Sequence, residues 1–254
     1  MLVRNSDFAS LKSLFNTNNI FNFIAGPCAI EDLHQMEKVA QFLVHNNIPF
    51  IRGGAYKPRT SPYDFQGLGI EGLKILDNIR KQYHLFALSE IMDPRDVEYG
   101  IRYTDIIQIG SRNMTNYSLL REVGKTKHPV LLKRGMMSTY EEFLLAAEYI
   151  ASNGNNNIIM CERGIRTFET LTRNTLDISC IAMLKSETHL PVIVDLSHSL
   201  GRKDIVLPIM KCLISLDIDG VMLEVHPEPE KAKSDSRQQF NLEEFENLLK
   251  ALPR

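Results

Sequence analysis

Tryptophan is absent from this sequence, and cysteine occurs only four times, at Cys28, Cys161, Cys180 and Cys212. The four are far apart and form no Cys-x-x-Cys pair. Their spacing excludes a dense disulfide framework and is typical of a reducing compartment. No stretch reaches the roughly 20 apolar residues that a membrane-spanning helix needs, and the first residues lack the apolar segment of a secretory signal. We therefore expect a cytoplasmic protein without a membrane partner.

An excess of charge of either sign is also lacking. The chain has 29 lysines and arginines against 31 aspartates and glutamates, for a net charge of −2. This balance does not favour a nucleic-acid partner. The composition, 44% hydrophobic and 24% charged, is that of a globular protein. Because no linker rich in proline, glycine and serine divides the chain, we expect a single domain over residues 1–254.

Short apolar, β-branched runs alternate with longer segments of helical period, as in repeated βα units. The predicted strands are Asn22–Cys28, Phe50–Tyr56, Leu85–Met92, Asp105–Gly110, Val130–Gly135, Ile158–Gly164, Pro191–His198 and Gly220–His226. Eight units without a break predict an α/β protein made of a single (β/α)₈ TIM barrel. A doubly wound open sheet is the alternative, but no Gly-x-Gly-x-x-Gly follows the first strand.

The segments between the strands carry apolar residues at helical spacing, most clearly over 33–44 and 140–151. Ser138 with Glu141, and Asn241 with Glu244, have the spacing of a capping box, in which two side chains satisfy backbone N–H groups at a helix start. Cys180 and Cys212 lie on helical stripes, which predicts that both are in the core.

Charged and polar residues concentrate where the predicted strands end, whereas the opposite ends are chemically plain. Active sites of TIM barrels lie at the carboxyl ends of the strands, so we expect one there. Six of these residues are cations, namely Arg52, Lys57, Arg59, Arg112, Lys133 and Arg163. Together they predict a strongly anionic small ligand with more than one phosphate. The alternative is that several of them are solvated or paired with Glu90, Glu162 or Asp195, and a structural role is the favoured interpretation of each arginine taken singly.

The segment Lys57–Pro62 follows the second strand and contains two prolines. Proline stiffens the backbone and leaves neighbouring hydroxyl and N–H groups free to face an anion. A rigid surface turn is the alternative interpretation. Because long βα loops are usually functional, we favour an anion-binding loop.

A second candidate site combines a thiol, an imidazole and two carboxylates: Cys28, His198, Glu224 and Asp235. This donor set suits Mn²⁺, Fe²⁺, Co²⁺ or Zn²⁺ better than Mg²⁺. No short-range spacing marks it, so a buried cysteine and a structural histidine are equally good interpretations. Two further hypotheses, a Schiff-base lysine at Lys133 and a nucleophilic cysteine at Cys161, are less favoured. Lys133 lies among cations, whereas a Schiff-base lysine needs an apolar setting. Cys161 has apolar neighbours and no evident base.

Seven short segments resemble, in the same order, those of 3-deoxy-D-arabino-heptulosonate 7-phosphate synthase, in the shorter branch related to 3-deoxy-octulosonate 8-phosphate synthase. The resemblance runs from about Phe23 to Gln239. The segments are Ala25–Cys28, Lys57–Pro62, Gly110–Arg112, Cys161–Gly164, Asp195–His198, Glu224–Pro227 and Lys233–Asp235. The family is a TIM barrel that condenses phosphoenolpyruvate with erythrose 4-phosphate, the first step of the shikimate pathway. The resemblance therefore implies an aldol-type condensing enzyme.

The resemblance also implies roles for individual residues. One divalent ion, Mn²⁺ first with Fe²⁺, Co²⁺ or Zn²⁺ as alternatives, would be bound by Cys28, His198, Glu224 and Asp235. The phosphoenolpyruvate phosphate would be bound by Arg112, Lys133 and Arg163, and its carboxylate by Arg52 and Lys57. Ser111 would be a further substrate-binding residue. The phosphate of erythrose 4-phosphate would be bound by Arg59, Thr60 and Ser61. The catalytic residues would be Lys57, His198 and Glu90, with Lys57 as a proton donor and Glu90 positioning a water.

Two features discriminate within the superfamily. The Lys57–Ser61 segment resembles the heptulosonate enzymes rather than the octulosonate enzymes, which use arabinose 5-phosphate. Cys28 indicates a metal-dependent member. A non-catalytic sugar-phosphate-binding barrel is the alternative from another functional class. The resemblance further implies a homodimer or homotetramer, and the short segment before the first strand leads us to expect a catalytic barrel without a separate regulatory domain.

Overall fold

Eight parallel strands form the centre of the molecule in the computed structural model, which describes residues 1–4, 15 and 22–253. They are β1 (Asn22–Gly26), β2 (Phe50–Arg52), β3 (Phe86–Glu90), β4 (Ile106–Ile109), β5 (Val130–Lys133), β6 (Ile158–Glu162), β7 (Val192–Asp195) and β8 (Gly220–Glu224). Each strand pairs with the next along the chain, and β8 pairs with β1 to close the barrel. The predicted TIM barrel is confirmed.

Helices follow the strands on the outside of the barrel. In the described residues they are α1 (Leu33–His45), α2 (Ile70–Tyr83), α3 (Val97–Tyr103), α4 (Tyr117–Gly124), α5 (Tyr140–Ser152), α6 (Ile178–Glu187), α7 (Leu196–Leu200), α8 (Val206–Leu213) and α9 (Leu242–Lys250). Short 3₁₀ turns lie at Leu2–Arg4, Pro94–Asp96, Ser111–Asn113, Ile214–Leu216 and Pro229–Lys231. Within the described ranges, no helix has both the length and the apolar character needed to cross a bilayer.

The barrel interior is apolar at its centre. Its buried side chains are Phe15, Ile24, Phe50, Leu88, Ile106, Leu131, Ile159, Cys161, Ile193 and Met222. Phe15 stacks on Phe50 with ring centroids 5.2 Å apart. Cys161 is fully buried here, and burial raises the pKa of its thiol, so this cysteine is part of the core. Because the centre is filled, a ligand can approach the barrel only at a rim.

The strands are shorter at their carboxyl ends than the sequence predicts. The predicted second strand runs to Tyr56, but β2 ends at Arg52. Tyr56 instead forms an isolated antiparallel bridge with Gly67, and Lys57 N donates to Gln66 O at 2.9 Å. The chain therefore folds back on itself over 56–67. The residues that carry chemistry are therefore either the last residues of strands, as are Arg52, Glu90 and Lys133, or lie on loops just past the sheet.

One capping box and one core position differ from prediction. Asn241 and Glu244 cap α9 as predicted. The cap of α5, however, is Thr139 with Glu142, one residue later than predicted, because Ser138 lies in a turn closed by its N–H to Gly135 O at 3.2 Å. Cys180 is buried as predicted. Cys212 is exposed, because the buried stripe of α8 consists of Val206, Met210 and Leu213.

Candidate active site

A cavity of about 200 Å³ opens at the carboxyl-terminal rim of the barrel. All six cations singled out in the sequence line it: Arg52, Lys57, Arg59, Arg112, Lys133 and Arg163. Arg52 and Lys133 are the last residues of β2 and β5, and the other four lie on the loops after β2, β4 and β6. All six meet because parallel strands present their carboxyl ends at the same rim. Ser111, Glu90, His198 and Asp235 also line the cavity. The cavity is therefore suited to a small ligand with several negative charges.

Two of these cations are buried in ion pairs. Arg52 Nη1 lies 3.0 Å from Glu224 Oε1, and Lys133 Nζ contacts Asp195 Oδ2. The alternative interpretation of the cations as ion-pair partners thus holds for Lys133, whose partner is the predicted Asp195. Arg163 differs, because its Nη1 donates to Gly164 O at 3.2 Å and it is 4% exposed. Burial lowers the pKa of Arg163, which marks it as a desolvated guanidinium facing the cavity.

Three of the four metal-ligand candidates converge beside the cavity. One donor atom each from Cys28, Glu224 and Asp235 lies within 4.8 Å of the others. His198 Nε2 lies 3.5 Å from Glu224 Oε1 and 3.9 Å from Asp235 Oδ2. These residues come from the ends of β1, β7 and β8 and from the loop after β8, which are neighbours only because the barrel closes. We refer to the four side chains as the Cys–His–Glu–Asp cluster.

The chemistry of this cluster fits a divalent cation. Burial, together with the negative charge of Glu224, raises the pKa of the Cys28 thiol to about 12. Glu224 is fully buried, and Asp235 Oδ2 lies 3.2 Å from Cys28 Sγ. A thiol and two carboxylates held this close favour a positive charge between them, which would also release the thiol proton. A mixed sulfur, nitrogen and oxygen donor set suits a borderline transition ion.

Asp195 orients the histidine of this cluster. Its Oδ2 lies 2.8 Å from His198 Nδ1, and its Oδ1 accepts from the His198 backbone N–H at 3.0 Å. Burial lowers the pKa of His198, so the imidazole is neutral near neutral pH and its Nε2 is free as an acceptor or ligand. Burial would raise the pKa of Asp195, but His198 and Lys133 hold it well below its usual range. The carboxylate therefore fixes the ring with its Nε2 toward Glu224 and Asp235.

Lys57 lies between the Cys–His–Glu–Asp cluster and the cavity. Its Nζ is 3.0 Å from Cys28 Sγ and 3.0 Å from Cys28 O. Burial opposes its charge, but Cys28 and Glu224 outweigh that effect and raise the pKa of Lys57 above its usual value. Lys57 is thus a buried ammonium group that lines the cavity and can donate a proton there.

Glu90 is held by a residue that the sequence analysis missed. Gln108 Nε2 donates to Glu90 Oε2 at 3.3 Å, and Gln108 also lines the cavity. Among the described residues, Gln108 Oε1 is buried without a hydrogen-bond partner. On its other side Glu90 packs against Gly110, where an added Cβ would lie 1.9 Å from Glu90 Oε1. The sequence contained one signal for Gln108. Residues two apart on a strand face the same side, so Gln108, two residues after the interior-facing Ile106 on β4, also faces the barrel interior.

The Lys57–Pro62 segment reaches the cavity only in part. Arg59 lines it, with its Nε donating to Phe65 O at 3.0 Å. Thr60 is exposed, and the Ser61 hydroxyl accepts from Tyr63 N at 3.2 Å. In the described wall of the cavity neither of these two residues appears. The predicted phosphate-binding roles of Thr60 and Ser61 stay predictions.

Further charged residues at this rim were not anticipated as part of the site. Arg166 and Arg173 line the cavity from the loop after β6. Arg134 is buried, and its Nη1 lies 3.0 Å from Glu162 Oε2 and 2.8 Å from Asp177 Oδ2. This third buried ion pair joins Glu162 to a cation outside the six singled out in the sequence, so no described ion pair links those six to Glu162. It links the ends of β5 and β6 to the start of α6.

Comparison with known proteins agrees with this geometry. The family model described as the DAHP synthetase I family matches residues 10–253. A phospho-2-dehydro-3-deoxyheptonate aldolase of Thermotoga maritima is 50% identical over 237 residues, which cover 93% of this chain and 70% of that protein. A 2-dehydro-3-deoxyphosphooctonate aldolase of Syntrophotalea carbinolica is 28% identical over 256 residues, covering 94% of this chain and 91% of that protein.

Solved structures give the same result. The crystal structure of the Thermotoga maritima phospho-2-dehydro-3-deoxyheptonate aldolase (DAHP synthase) superimposes with a TM-score of 0.87 at 50% identity, covering 91% of this chain and 67% of that one. A truncated form of 3-deoxy-D-arabino-heptulosonate 7-phosphate synthase from the same organism has a TM-score of 0.83 at 46% identity, covering 91% and 84%. The family match spans nearly the whole chain. On these grounds the chain belongs to the DAHP synthetase I family.

Proposed function

We propose that this chain condenses phosphoenolpyruvate with erythrose 4-phosphate and water to give 3-deoxy-D-arabino-heptulosonate 7-phosphate and inorganic phosphate. One observation carries the proposal: the cation-lined cavity and the Cys–His–Glu–Asp cluster lie side by side at one rim. Two phosphorylated anions repel each other in water, and a cation-lined cavity is suited to bringing them together. The relative that is 50% identical supports the choice of sugar.

The Cys–His–Glu–Asp cluster would bind one divalent ion, for which Mn²⁺ is our first choice and Fe²⁺, Co²⁺ and Zn²⁺ are alternatives. Such an ion supplies Lewis acidity toward the aldehyde oxygen of the sugar phosphate. The chain's contribution is to hold the four ligands in place. Asp195 fixes the His198 ring, and Arg52 approaches Glu224 Oε1 at 3.0 Å.

Phosphoenolpyruvate would lie across the cavity with its phosphate toward Ser111, Arg112, Lys133 and Arg163. Its carboxylate would face Arg52 and Lys57. The two ends of the cavity support this orientation, because Arg52 and Lys57 are tied to Glu224 and Cys28, whereas Arg112 and Arg163 come from the loops after β4 and β6. The cations would hold both groups while C3 faces the aldehyde.

The reaction follows from this placement. C3 of phosphoenolpyruvate attacks the aldehyde carbon and forms the new carbon–carbon bond, while positive character develops at C2. A water held by Glu90 adds to C2 and gives one proton to that carboxylate. The bond between C2 and the phosphate oxygen then breaks, and inorganic phosphate leaves with the proton of the C2 hydroxyl, which becomes the ketone. Gln108 Oε1 is available to accept a second hydrogen bond from that water. Lys57 donates a proton to the new alkoxide, and its place between Cys28 and the cavity supports this role.

The sugar phosphate would enter past the Lys57–Pro62 segment. Arg59 would bind its phosphate at the cavity edge, with Thr60 and Ser61 completing the site from the outside. Arabinose 5-phosphate is the alternative substrate, which the octulosonate relatives at 28% and 29% identity favour. The cytoplasmic location and the homodimer or homotetramer remain parts of the proposal, and light scattering on the purified protein would test the assembly.

The test is an assay of phosphoenolpyruvate consumption in Mn²⁺, with erythrose 4-phosphate and arabinose 5-phosphate compared at equal concentration. Each assay is repeated after EDTA and again after the metal is restored. We expect turnover with the four-carbon sugar alone, lost with EDTA and recovered with metal. Turnover with arabinose 5-phosphate would reassign the substrate. A folded, metal-loaded sample that turns over neither sugar would point to the non-catalytic sugar-phosphate-binding barrel.

A further inference from the structure

Two adjacent glutamines, Gln238 and Gln239, lie behind the Cys–His–Glu–Asp cluster, and the proposed reaction gives neither of them a task. Gln238 is 5% exposed and Gln239 is 1% exposed. They follow Asp235 in the loop after β8. Buried amides are costly unless every polar atom has a partner, so the partners of these two reveal what the position requires.

Gln238 connects one carboxylate to an arginine. Its Nε2 donates to Glu224 Oε2, and its Oε1 accepts from Arg173 Nη1 at 2.6 Å. Arg173 Nη1 also lies 3.2 Å from Asp235 Oδ1. The orientation of the amide is therefore set, since only its oxygen can face the guanidinium and only its nitrogen can face the carboxylate. Gln238 and Arg173 together restrain both carboxylates of the cluster.

Gln239 connects the cysteine to the same loop. Its Oε1 accepts from the Cys28 backbone N–H at 3.0 Å, and its Nε2 donates to Ser234 O at 2.8 Å. Ser234 directly precedes Asp235, and its hydroxyl lies 3.1 Å from Cys28 Sγ. Gln239 thus fixes the distance between the loop after β1 and the loop that carries Asp235.

The backbone after the pair is anchored to the barrel. Phe240 N donates to Glu224 O at 2.9 Å, and Phe240 bridges Val225 in parallel orientation. Asp235 itself has φ 51°, a left-handed conformation that turns the loop back toward β8. The two glutamines are therefore held between the end of β8 and the tight turn at Asp235. This placement lets Gln238 reach Glu224 and Gln239 reach Cys28.

We propose that Gln238 and Gln239 are positioning residues of the metal site, Gln238 for Glu224 and, with Arg173, for Asp235, and Gln239 for Cys28. The inference rests on the proposed metal dependence of this chain. Groups that hydrogen-bond metal ligands typically contribute about 10–100-fold to metal affinity. The two residues divide the cluster between them, because Gln238 acts on the oxygen ligands and Gln239 acts on the sulfur ligand.

The experiment measures Mn²⁺ binding by calorimetry on the 254-residue chain freed of metal, for wild type, Gln238→Met and Gln239→Met. Methionine preserves most of the volume and removes both hydrogen bonds. We expect the Mn²⁺ affinity to fall by about 10–100-fold in Gln238→Met and about tenfold in Gln239→Met. Asn155→Leu is the matched control, since Asn155 is a buried amide that donates to Val123 O and His128 O at the opposite rim. Its Mn²⁺ affinity should stay within about twofold of wild type.

A second readout separates the two roles. Co²⁺ bound by a thiolate gives a sulfur-to-cobalt charge-transfer band, which reports on Cys28 alone. We expect Gln239→Met to shift or weaken this band and Gln238→Met to leave it in place, whereas a general loss of stability would leave both spectra unchanged once the site is filled. If Gln238→Met does not fold, Arg173→Met replaces it, because the exposed Arg173 side chain contacts both Gln238 Oε1 and Asp235 Oδ1. If Gln239→Met does not fold, Gln239→Asn replaces it, because the shorter amide cannot reach both Cys28 N and Ser234 O.

The outcomes distinguish this inference from the proposed function. Wild-type protein that binds none of Mn²⁺, Fe²⁺, Co²⁺ or Zn²⁺ would overturn the metal site and the positioning roles with it. Wild-type binding with unchanged affinity and unchanged Co²⁺ spectra in the variants would overturn the positioning roles alone. Reduced affinity with the predicted division of the spectra would support both.

Discussion

The two rims of the barrel use polar side chains in opposite ways. At the amino-terminal rim, carboxylates hydrogen-bond to the backbone of the neighbouring strand. Asp219 Oδ2 accepts from Val192 N at 2.8 Å, and Asp105 Oδ2 accepts from Ala87 N at 2.8 Å. Each of these carboxylates also pairs with a basic side chain from an outer helix. These contacts satisfy backbone N–H groups and tie the strands to the outer helices, so this rim stabilises the fold.

At the carboxyl-terminal rim, charged side chains are directed toward one another and toward the cavity. Glu224 and Asp235 lie beside the Cys28 thiol, and like-charged acceptors at such distances oppose folding. Arg163 is desolvated with only the Gly164 carbonyl as a described partner. Holding such groups together reduces stability unless a ligand offsets the cost. Substitutions at the amino-terminal rim should therefore change stability, and substitutions at the carboxyl-terminal rim should change function.

The largest expected effect is that of Cys28→Ala. Removing the sulfur from the cluster should lower metal-dependent turnover by more than about 100-fold, since loss of a group behind a ligand already costs about 10–100-fold. The midpoint of urea unfolding without metal should change little, because the thiol lies beside carboxylates that disfavour its charge. Turnover and unfolding are measured on the same preparation. Cys161→Ala is the control: it removes a buried thiol from the barrel interior and should keep turnover. Full activity in Cys28→Ala would remove Cys28 from the ligand set.

Gly110→Ala should produce a smaller loss at the same rim. A Cβ at this position would lie 1.9 Å from Glu90 Oε1, so the carboxylate must move away from Gln108. Because the displaced atom is the end of a flexible side chain, we expect kcat to fall by about 10–100-fold and the free energy of unfolding to fall by less than about 1 kcal/mol. Glu90→Gln should reproduce the loss of kcat. A large drop in stability with unchanged kcat would show that Glu90 is structural.

Asp219→Ala tests the opposite rim. It removes the acceptor for Val192 N and the partner of Lys185, whose Nζ lies 2.9 Å from Asp219 Oδ2. We expect the free energy of unfolding, measured by urea denaturation, to fall by about 1–3 kcal/mol, with kcat/KM within about twofold of wild type. Asp219→Asn keeps an acceptor oxygen and should lose less. A selective loss of kcat/KM here would contradict the division between the rims.

The fold could be predicted because its signals are local. Apolar period and the residues at strand ends give the eight strands and the rim at which the six cations meet, since a closed parallel barrel brings all the strand ends together. The carboxyl ends of the strands were harder to predict from the sequence. Residues beyond Arg52 read as strand, but Tyr56 pairs with Gly67, a contact 11 residues away that no local pattern encodes.

The supporting residues of the site were beyond reach for a related reason. Gln238 and Gln239 are ordinary polar residues in the sequence, and their roles arise only from the loop that returns to Glu224 through Phe240. The same holds for Arg134, whose partners Glu162 and Asp177 lie on different elements. Reactive residues have a chemical identity that sequence reveals, whereas the residues that orient them are defined by distance in the folded chain.

The smallest expected effect concerns the ion pair between Asp177 and Arg134, which lies at the carboxyl-terminal rim. This pair is expected to stabilise the fold, as the polar contacts of the amino-terminal rim do. Burial would raise the pKa of Asp177, but hydrogen bonds from Arg134 and from the backbone N–H of Cys180 outweigh burial and lower this pKa below its usual value. A carboxyl whose pKa is lower in the folded state stabilises the fold fully above its unfolded pKa. That contribution is lost as the pH falls through the folded pKa.

Asp177→Asn removes the charge and retains a good helix cap, because asparagine and aspartate cap about equally well. We therefore expect it to lower the free energy of unfolding by up to about 1 kcal/mol at pH 7, with a smaller difference from wild type at pH 3. Urea denaturation at both values measures this difference. A difference that stays constant with pH would mean that the charge of Asp177 paired with Arg134 does not carry the contribution. A loss of kcat/KM in Asp177→Asn would mean that this pair contributes to function at the cavity. The contacts that stabilise the fold would then be found at the amino-terminal rim and not in this pair.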